Sequence, residues 1–136
     1  MKKKILTLDD YQFAANRTAI YPNKGANLIY TVLGLAGEAG ELANKVKKLM
    51  RSAGLKPGMS IGELYYNITC IKDNKIKKQM LKIFNGLNGE LGGILWYVSA
   101  CTAELGIVLN KVGIDNIDEL SARVKNNSVE GNGDER

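Results

Sequence analysis

The feature that most constrains this chain is a pair of long apolar stripes with helical spacing. In the first, Leu28, Val32, Leu35, Leu42, Val46 and Leu49 recur with the 3.6-residue period of a helix that buries one face. In the second, which starts at Ile76, the same phase runs through Met80, Ile83, Leu87, Leu91, Ile94, Val98, Cys101, Leu105, Val108 and Val112. Only two prolines interrupt the sequence, and Leu, Ile, Ala, Lys and Glu are abundant, all of which favours helix. No alternating strand pattern survives outside the ambiguous stretch 64–71. The expected fold class is all-α, a helical bundle.

The remaining punctuation is consistent with that class. Thr7 or Asp9 caps a first helix through about residue 20, which Tyr21-Pro22-Asn23-Lys24-Gly25 stops. Asn27 caps the second helix, which reaches about residue 51, and 52–58 reads as a loop. Ser60-Ile61-Gly62-Glu63 has the form of a capping box, predicting a short helix through Tyr65, Tyr66 and Ile68 that Asp73-Asn74 ends. The second stripe is then one long helix to about residue 112, or two stacked helices with a kink near 86–89. A short helix from Ile117 to about Val124 precedes a polar, glycine-containing tail at 126–136 that reads as non-helical. The 136 residues suit one domain, 1–125, followed by that tail.

Composition narrows the chemistry. Histidine is absent, which excludes imidazole bases and histidine-held zinc and leaves carboxylates as the natural catalytic groups. Cys70 and Cys101 suggest no disulfide framework and read as reduced, part-buried thiols. The basic start, Met1-Lys2-Lys3-Lys4, lacks the apolar run of a signal peptide, and no stretch approaches the ~20 apolar residues of a membrane span. A cytoplasmic location with no membrane partner is expected. Net charge is +5, with lysines crowded at 2–4, 45–48 and 72–82. They indicate either an anionic partner or a solvated basic helix face.

Against this background three acidic residues stand out. Glu38 interrupts the first stripe, three after Leu35 and four before Leu42, and Glu90 interrupts the second between Leu87 and Ile94. Glu41 lies at i+3 from Glu38, on the same helix face. A carboxylate on an apolar stripe is costly unless it is paired. A lysine can pair with it, and so can divalent cations, which prefer oxygen ligands. Glycines crowd the same places: Gly34, Gly37 and Gly40, then Gly86, Gly89, Gly92 and Gly93. Each interior glycine costs about 1 kcal/mol relative to alanine, so their density indicates close helix approach or room for a ligand.

The segment Gly34-Leu35-Ala36-Gly37-Glu38-Ala39-Gly40-Glu41-Leu42, with Lys45-Val46-Lys47-Lys48, resembles the first acidic motif of the MazG-like all-α nucleoside triphosphate pyrophosphohydrolases. Glu90-Leu91-Gly92-Gly93-Ile94-Leu95-Trp96-Tyr97-Val98 is similar to their second, normally ELGD-[VI]-LWY. Tyr11-Gln12 and Arg17-Thr18-Ala19 look like the first helix of phage-type members, and Gly131-Asn132-Gly133-Asp134-Glu135-Arg136 like their GxGDxR tail. The resemblance covers nearly the whole chain except about 52–78, which reads as an insertion.

That resemblance implies a helical bundle dimerising through long helices. The activity it implies cleaves (d)NTP to (d)NMP and pyrophosphate with Mg2+ or Mn2+. By position Glu38, Glu41 and Glu90 are the expected catalytic and metal-binding residues. Lys45, Lys48, Arg123, Asn116, Arg17 and Trp96 are the expected substrate contacts. For Arg17 an ordinary surface cation, and for Trp96 a core or interface aromatic, are the alternatives. Two departures matter: Gly93 stands where the family has the Asp of ExxD, and Glu119 stands where Asn116-Ile117-Asp118-Glu119-Leu120-Ser121-Ala122-Arg123 should carry a lysine. Asp134 or Glu104 are candidate replacements for the missing ligand. A non-catalytic descendant that binds nucleotide or protein is therefore the second reading. A third, a basic nucleic-acid-binding helical protein, lacks interleaved aromatics, so nucleic acid is not the expected partner. Apolar residues beyond one stripe, among them Leu95, Trp96, Tyr97 and Ile107, imply a homodimer or homotetramer.

Overall fold

A computed structural model describes residues 7–126, and the tail motif including Asp134 lies outside them. Among the described residues every regular element is helical: α1 (Leu8–Asn16), α2 (Leu28–Ala53), α3 (Ile61–Thr69), α4 (Asn74–Asn85), α5 (Leu87–Glu104) and α6 (Leu109–Lys125). The chain is all-α, as its periodicity predicts. No single helix among the described residues is long and apolar enough to cross a membrane. The described residues divide into two compact units, one of residues 7–28 with 99–126, the other of residues 29–98.

In the first unit α1 packs on α6. Thr7 caps α1: its hydroxyl accepts from the Asp10 N–H at 3.0 Å, and the Asp10 carboxylate accepts from the Thr7 N–H at 3.2 Å. The helix stops at Asn16, short of the expected residue 20. The Thr18 hydroxyl and N–H both donate to the Ala15 carbonyl, at 2.7 and 2.9 Å, closing a tight turn in place of another helical turn.

The long helix expected through Val112 ends instead at Glu104. Gly106 adopts φ +67°, the Ile107 N–H donates to the Thr102 carbonyl at 2.8 Å, and the Gly106 N–H to the Ala103 carbonyl at 3.1 Å. These are the paired bonds of a Schellman terminus, which needs a residue at ease in the left-handed region. Val112 therefore belongs to α6, which starts at Leu109 rather than Ile117.

Val108 provides no side-chain cap for α6. The first N–H groups of that helix are satisfied from α1: Leu109 donates to the Gln12 Oε1 at 2.9 Å and Asn110 to Asp9 at 3.1 Å. The Gln12 amide nitrogen in turn donates to the Thr102 hydroxyl and the Ile107 carbonyl, both at 3.0 Å.

Glu104 fastens the segment between α1 and α2. Its carboxylate accepts from the Tyr21 hydroxyl at 2.6 Å, the Gly25 N–H at 2.7 Å and the Asn27 N–H at 2.6 Å. These donors hold its pKa below the ordinary 4.5, the Tyr21 bond contributing most. Burial, aided by the same bond, raises the Tyr21 hydroxyl to about 12.

The second unit is built on α2, α3, α4 and the first part of α5. Leu49 and Ala53 of α2, Leu64 and Ile68 of α3, and Met80 and Ile83 of α4 form its core, with Phe84 and Leu87 packed against it. Leu49 and Ile68 are 0% exposed. Each such aliphatic side chain contributes roughly 1.5–3 kcal/mol by leaving water. Ser60 and Glu63 form the predicted capping box, and Asp73 caps α4 by accepting from the Lys75 and Ile76 N–H groups. The ambiguous stretch 64–71 is mostly helix, and the kink expected near 86–89 is a break at Gly86 between α4 and α5. The segment 52–78, read as an insertion, supplies Ala53, Leu64 and Ile68 to the core.

Because the Glu104 pKa is depressed, its contribution to stability is complete above pH 4.5 and lost as pH falls below that value. Acid titration of urea-unfolding stability should show wild type falling steeply below pH 4.5. Glu104→Gln should be less stable at pH 7 and flatter in the acid range. Superimposable profiles would refute the assignment.

Candidate functional site

The helical phase that puts Glu38 and Glu90 on apolar stripes brings them together in the second unit. Glu38 of α2 is half-buried, and its carboxyl is pushed above the usual carboxylate range. Partial burial is the largest cause. The like charges of Glu90 and Glu41 and a side-chain hydrogen bond with Glu90 raise it further, and Lys45 acts in the opposite direction. Glu41 is exposed one turn along α2, near enough for its charge to act on Glu38.

Lys45, expected as a phosphate contact, pairs with the Glu90 carboxylate and also donates to the Gly86 carbonyl at 3.2 Å. The Glu90 side chain is 13% exposed, so the ammonium offsets a charge that is largely removed from water. A Cβ at residue 86 would stand 2.9 Å from the Lys45 Nζ and 3.1 Å from the Lys82 carbonyl oxygen, so the ammonium lies close against the glycine at the helix break.

Gly93 has a comparable role. A Cβ there would stand 2.6 Å from the Glu38 Cδ and 3.1 Å from its Cγ. The Glu38 carboxyl fills the volume that a side chain at 93 would take.

Gly34 makes room for the Tyr97 ring, whose Cδ1 would lie 2.7 Å from an added Cβ. Gly37, Gly40, Gly89 and Gly92 face nothing within 4 Å. The glycine crowding is therefore partly close helix approach. Trp96 packs edge-on to Tyr97, with centroids 4.8 Å apart at 85°. The Tyr97 hydroxyl is raised by burial, then by the neighbouring Tyr30 and Glu38. Tyr30 was not singled out from the sequence, although Tyr30, Gly34 and Glu38 follow at intervals of four on one face of α2.

Lys48 is exposed on α2. Arg17, Asn116 and Arg123 belong to the first unit. Arg17 is exposed just after α1, and Arg123 pairs with Glu119, the residue standing where lysine was expected. Asn116 lines a groove of about 590 Å³ beside α6 with Val108, Lys111, Val112 and Glu119. Glu104, a candidate replacement ligand, is already committed to Tyr21, Gly25 and Asn27.

Two carboxylates from facing helices, with a third one turn on, form a donor set of the kind hard divalent cations take. Among the described residues, however, no group of three or more acidic, cysteine or histidine side chains is placed to hold a metal ion as the side chains stand. The positive charge at the cluster comes from Lys45.

Fold and site define an all-helical protein with an acidic cluster shared by two helices and countered by lysine. The chain is similar to the Gene 37 protein of Mycobacterium phage L5, 35% identical over 134 residues that cover 95% of this chain and 98% of the phage protein. It belongs to the family of that phage protein. No protein-family model matches it, and no solved structure does.

A carboxyl with a raised pKa stabilises the fold while protonated, and that stability is lost as pH rises from its unfolded value, near 4.5, through its folded value. Glu38→Gln should therefore remove a downward slope in stability on the alkaline side of pH 4.5, measured by thermal melts across pH 4–8. An unchanged slope would show that Glu38 does not carry the repulsion.

Proposed function

We propose that this chain is a magnesium- or manganese-dependent nucleoside triphosphate pyrophosphohydrolase of the MazG-like type, converting (d)NTP to (d)NMP and pyrophosphate. The observation that carries the reading is the meeting of Glu38 and Glu90 from two helices with the charge of Glu41 upon them. Glu38, Glu41 and Glu90 are the residues that would hold the cation, with Glu38 in the space that Gly93 leaves open. Bound there, the cation supplies activation of the attacking water and offsets charge on the phosphate oxygens. Lys45 holds positive charge against Glu90 in the cation's absence. Within the same unit Lys45 and Lys48 are assigned to the phosphates and Trp96 to the base.

Purified protein with Mg2+ should release pyrophosphate from at least one common dNTP. Glu41→Gln should lower that rate by more than the ~10–100-fold typical of residues that merely support a metal site. On this reading wild type turns over and Gly93→Asp changes the rate little, since the end of the Glu38 side chain can turn aside for it. No pyrophosphate from any triphosphate would defeat the proposal.

The second reading is a non-catalytic, nucleotide- or protein-binding descendant. It is supported by the lysine ammonium at the cluster and by the absence of a ready three-ligand group among the described residues. Under it wild type is silent, and activity that appears with Gly93→Asp marks a lost ligand.

The same reading includes a homodimer or a homotetramer. Ile29 and Leu33 of α2 are 75% and 67% exposed, and Leu91 and Leu95 of α5 are also exposed. That is apolar surface which a second copy would cover. Size-exclusion chromatography with light scattering should give two or four times 14.9 kDa; a monomer would remove this part.

A further inference from the structure

We propose that Lys45 is an internal competitor for the divalent cation. Its ammonium is seated on Glu90 and Gly86 until a cation takes the carboxylate, and it is then delivered to the triphosphate. Cation and nucleotide bind in that order, and each strengthens the binding of the other. This rests on the pyrophosphohydrolase reading and adds to it a coupling between the two ligands.

The ammonium has a built seat. Its Nζ pairs with the Glu90 carboxylate and donates to the Gly86 carbonyl at 3.2 Å, so a carboxylate oxygen and a backbone oxygen face one positive charge. Those are the oxygen types that hard divalent cations accept. The head also lies against Gly86, where an added Cβ would stand 2.9 Å from the Nζ. The Glu90 side chain is 13% exposed and that of Lys45 26%, so the pair is shielded while the lysine keeps a path to solvent.

One ammonium does not balance the cluster. Glu38 shares a hydrogen bond with Glu90 and feels the charge of Glu41, and its carboxyl stays raised although Lys45 draws it down. A divalent cation brings one more unit of charge than the ammonium to the same carboxylates. The two exclude each other at Glu90, since like charges repel strongly in a seam that water screens poorly. A cation on Glu38, Glu41 and Glu90 therefore displaces Lys45.

The released ammonium has no carboxylate to return to. Glu41 precedes it by four residues on α2, the spacing and direction that favour a glutamate–lysine pair, but Glu41 is then held by the cation. The flexible lysine stem carries a compact point charge, and a phosphate beside the cation is the partner that restores its pairing. Exposed Lys48 continues the positive edge one turn further along α2. Because the cation frees the lysine that the phosphates need, the coupling runs both ways.

Limited acylation of the wild-type chain by an acetyl succinimidyl ester, read by peptide mass spectrometry, reports how free each lysine is. Without metal, Lys45 should react more slowly than Lys48. Saturating Mg2+ should speed Lys45 about fivefold or more, the lower end of usual couplings, and leave Lys48 unchanged. The four α,β-methylene dNTPs, added with Mg2+, should slow Lys45 again. In parallel, Mn2+ binding without nucleotide, followed by the paramagnetic resonance of free Mn2+, should tighten roughly 5–150-fold in Lys45→Met. Lys45→Arg, which keeps the charge, should gain no affinity. Should Lys45→Met fail to fold by circular dichroism, the labelling of wild type decides alone. Cation binding that leaves Lys45 labelling unchanged, or equal Mn2+ affinity in wild type and folded Lys45→Met, would overturn the proposal and leave the pyrophosphohydrolase reading standing. No Mn2+ binding by wild type or either variant would remove both.

Discussion

The second unit is organised around a repulsion. Glu38 and Glu90 approach within hydrogen-bonding reach in a half-buried seam where water screens them poorly. Lys45 makes that approach tolerable by pairing with Glu90, lying against the glycine at the break between α4 and α5. A carboxylate raised in pKa by its neighbours is a group whose environment favours any added positive charge. The arrangement is consequently receptive to a cation while being stable with an ammonium.

The helical phase alone made much of this legible. Glu38 and Glu90 stand on apolar stripes, and helices that bury those stripes against each other must bring the carboxylates together. Local capping was equally readable, since Thr7 with Asp10 and Ser60 with Glu63 act within four residues. The helix ends that depend on distant groups were not. The Leu105-Gly106-Ile107 stop was present in the sequence, but Val108 and Val112 continue the apolar phase and mask it. No local feature announces that α6 is capped by Gln12 and Asp9, about a hundred residues earlier. Whether Lys45 meets a phosphate or a carboxylate is likewise a matter of three-dimensional packing, not of spacing.

Residues 52–78 show how an apparent insertion can be structural. They fall outside the family resemblance, yet Ala53, Leu64 and Ile68 are integral to the core of the second unit. The same helices carry the lysines of α4 and the tyrosines of α3 on their outer side. One stretch thus supplies apolar groups inward and cationic and aromatic groups outward, while the three carboxylates of the cluster sit on α2 and α5.

The volume shared by Gly93 and Glu38 couples those two positions. A Cβ at 93 would meet the end of the Glu38 side chain, which must turn aside to admit it. Substitutions at the two sites are therefore non-additive, and the orientation of Glu38 against Glu90 and Lys45 is set in part by the lack of a side chain on the facing helix.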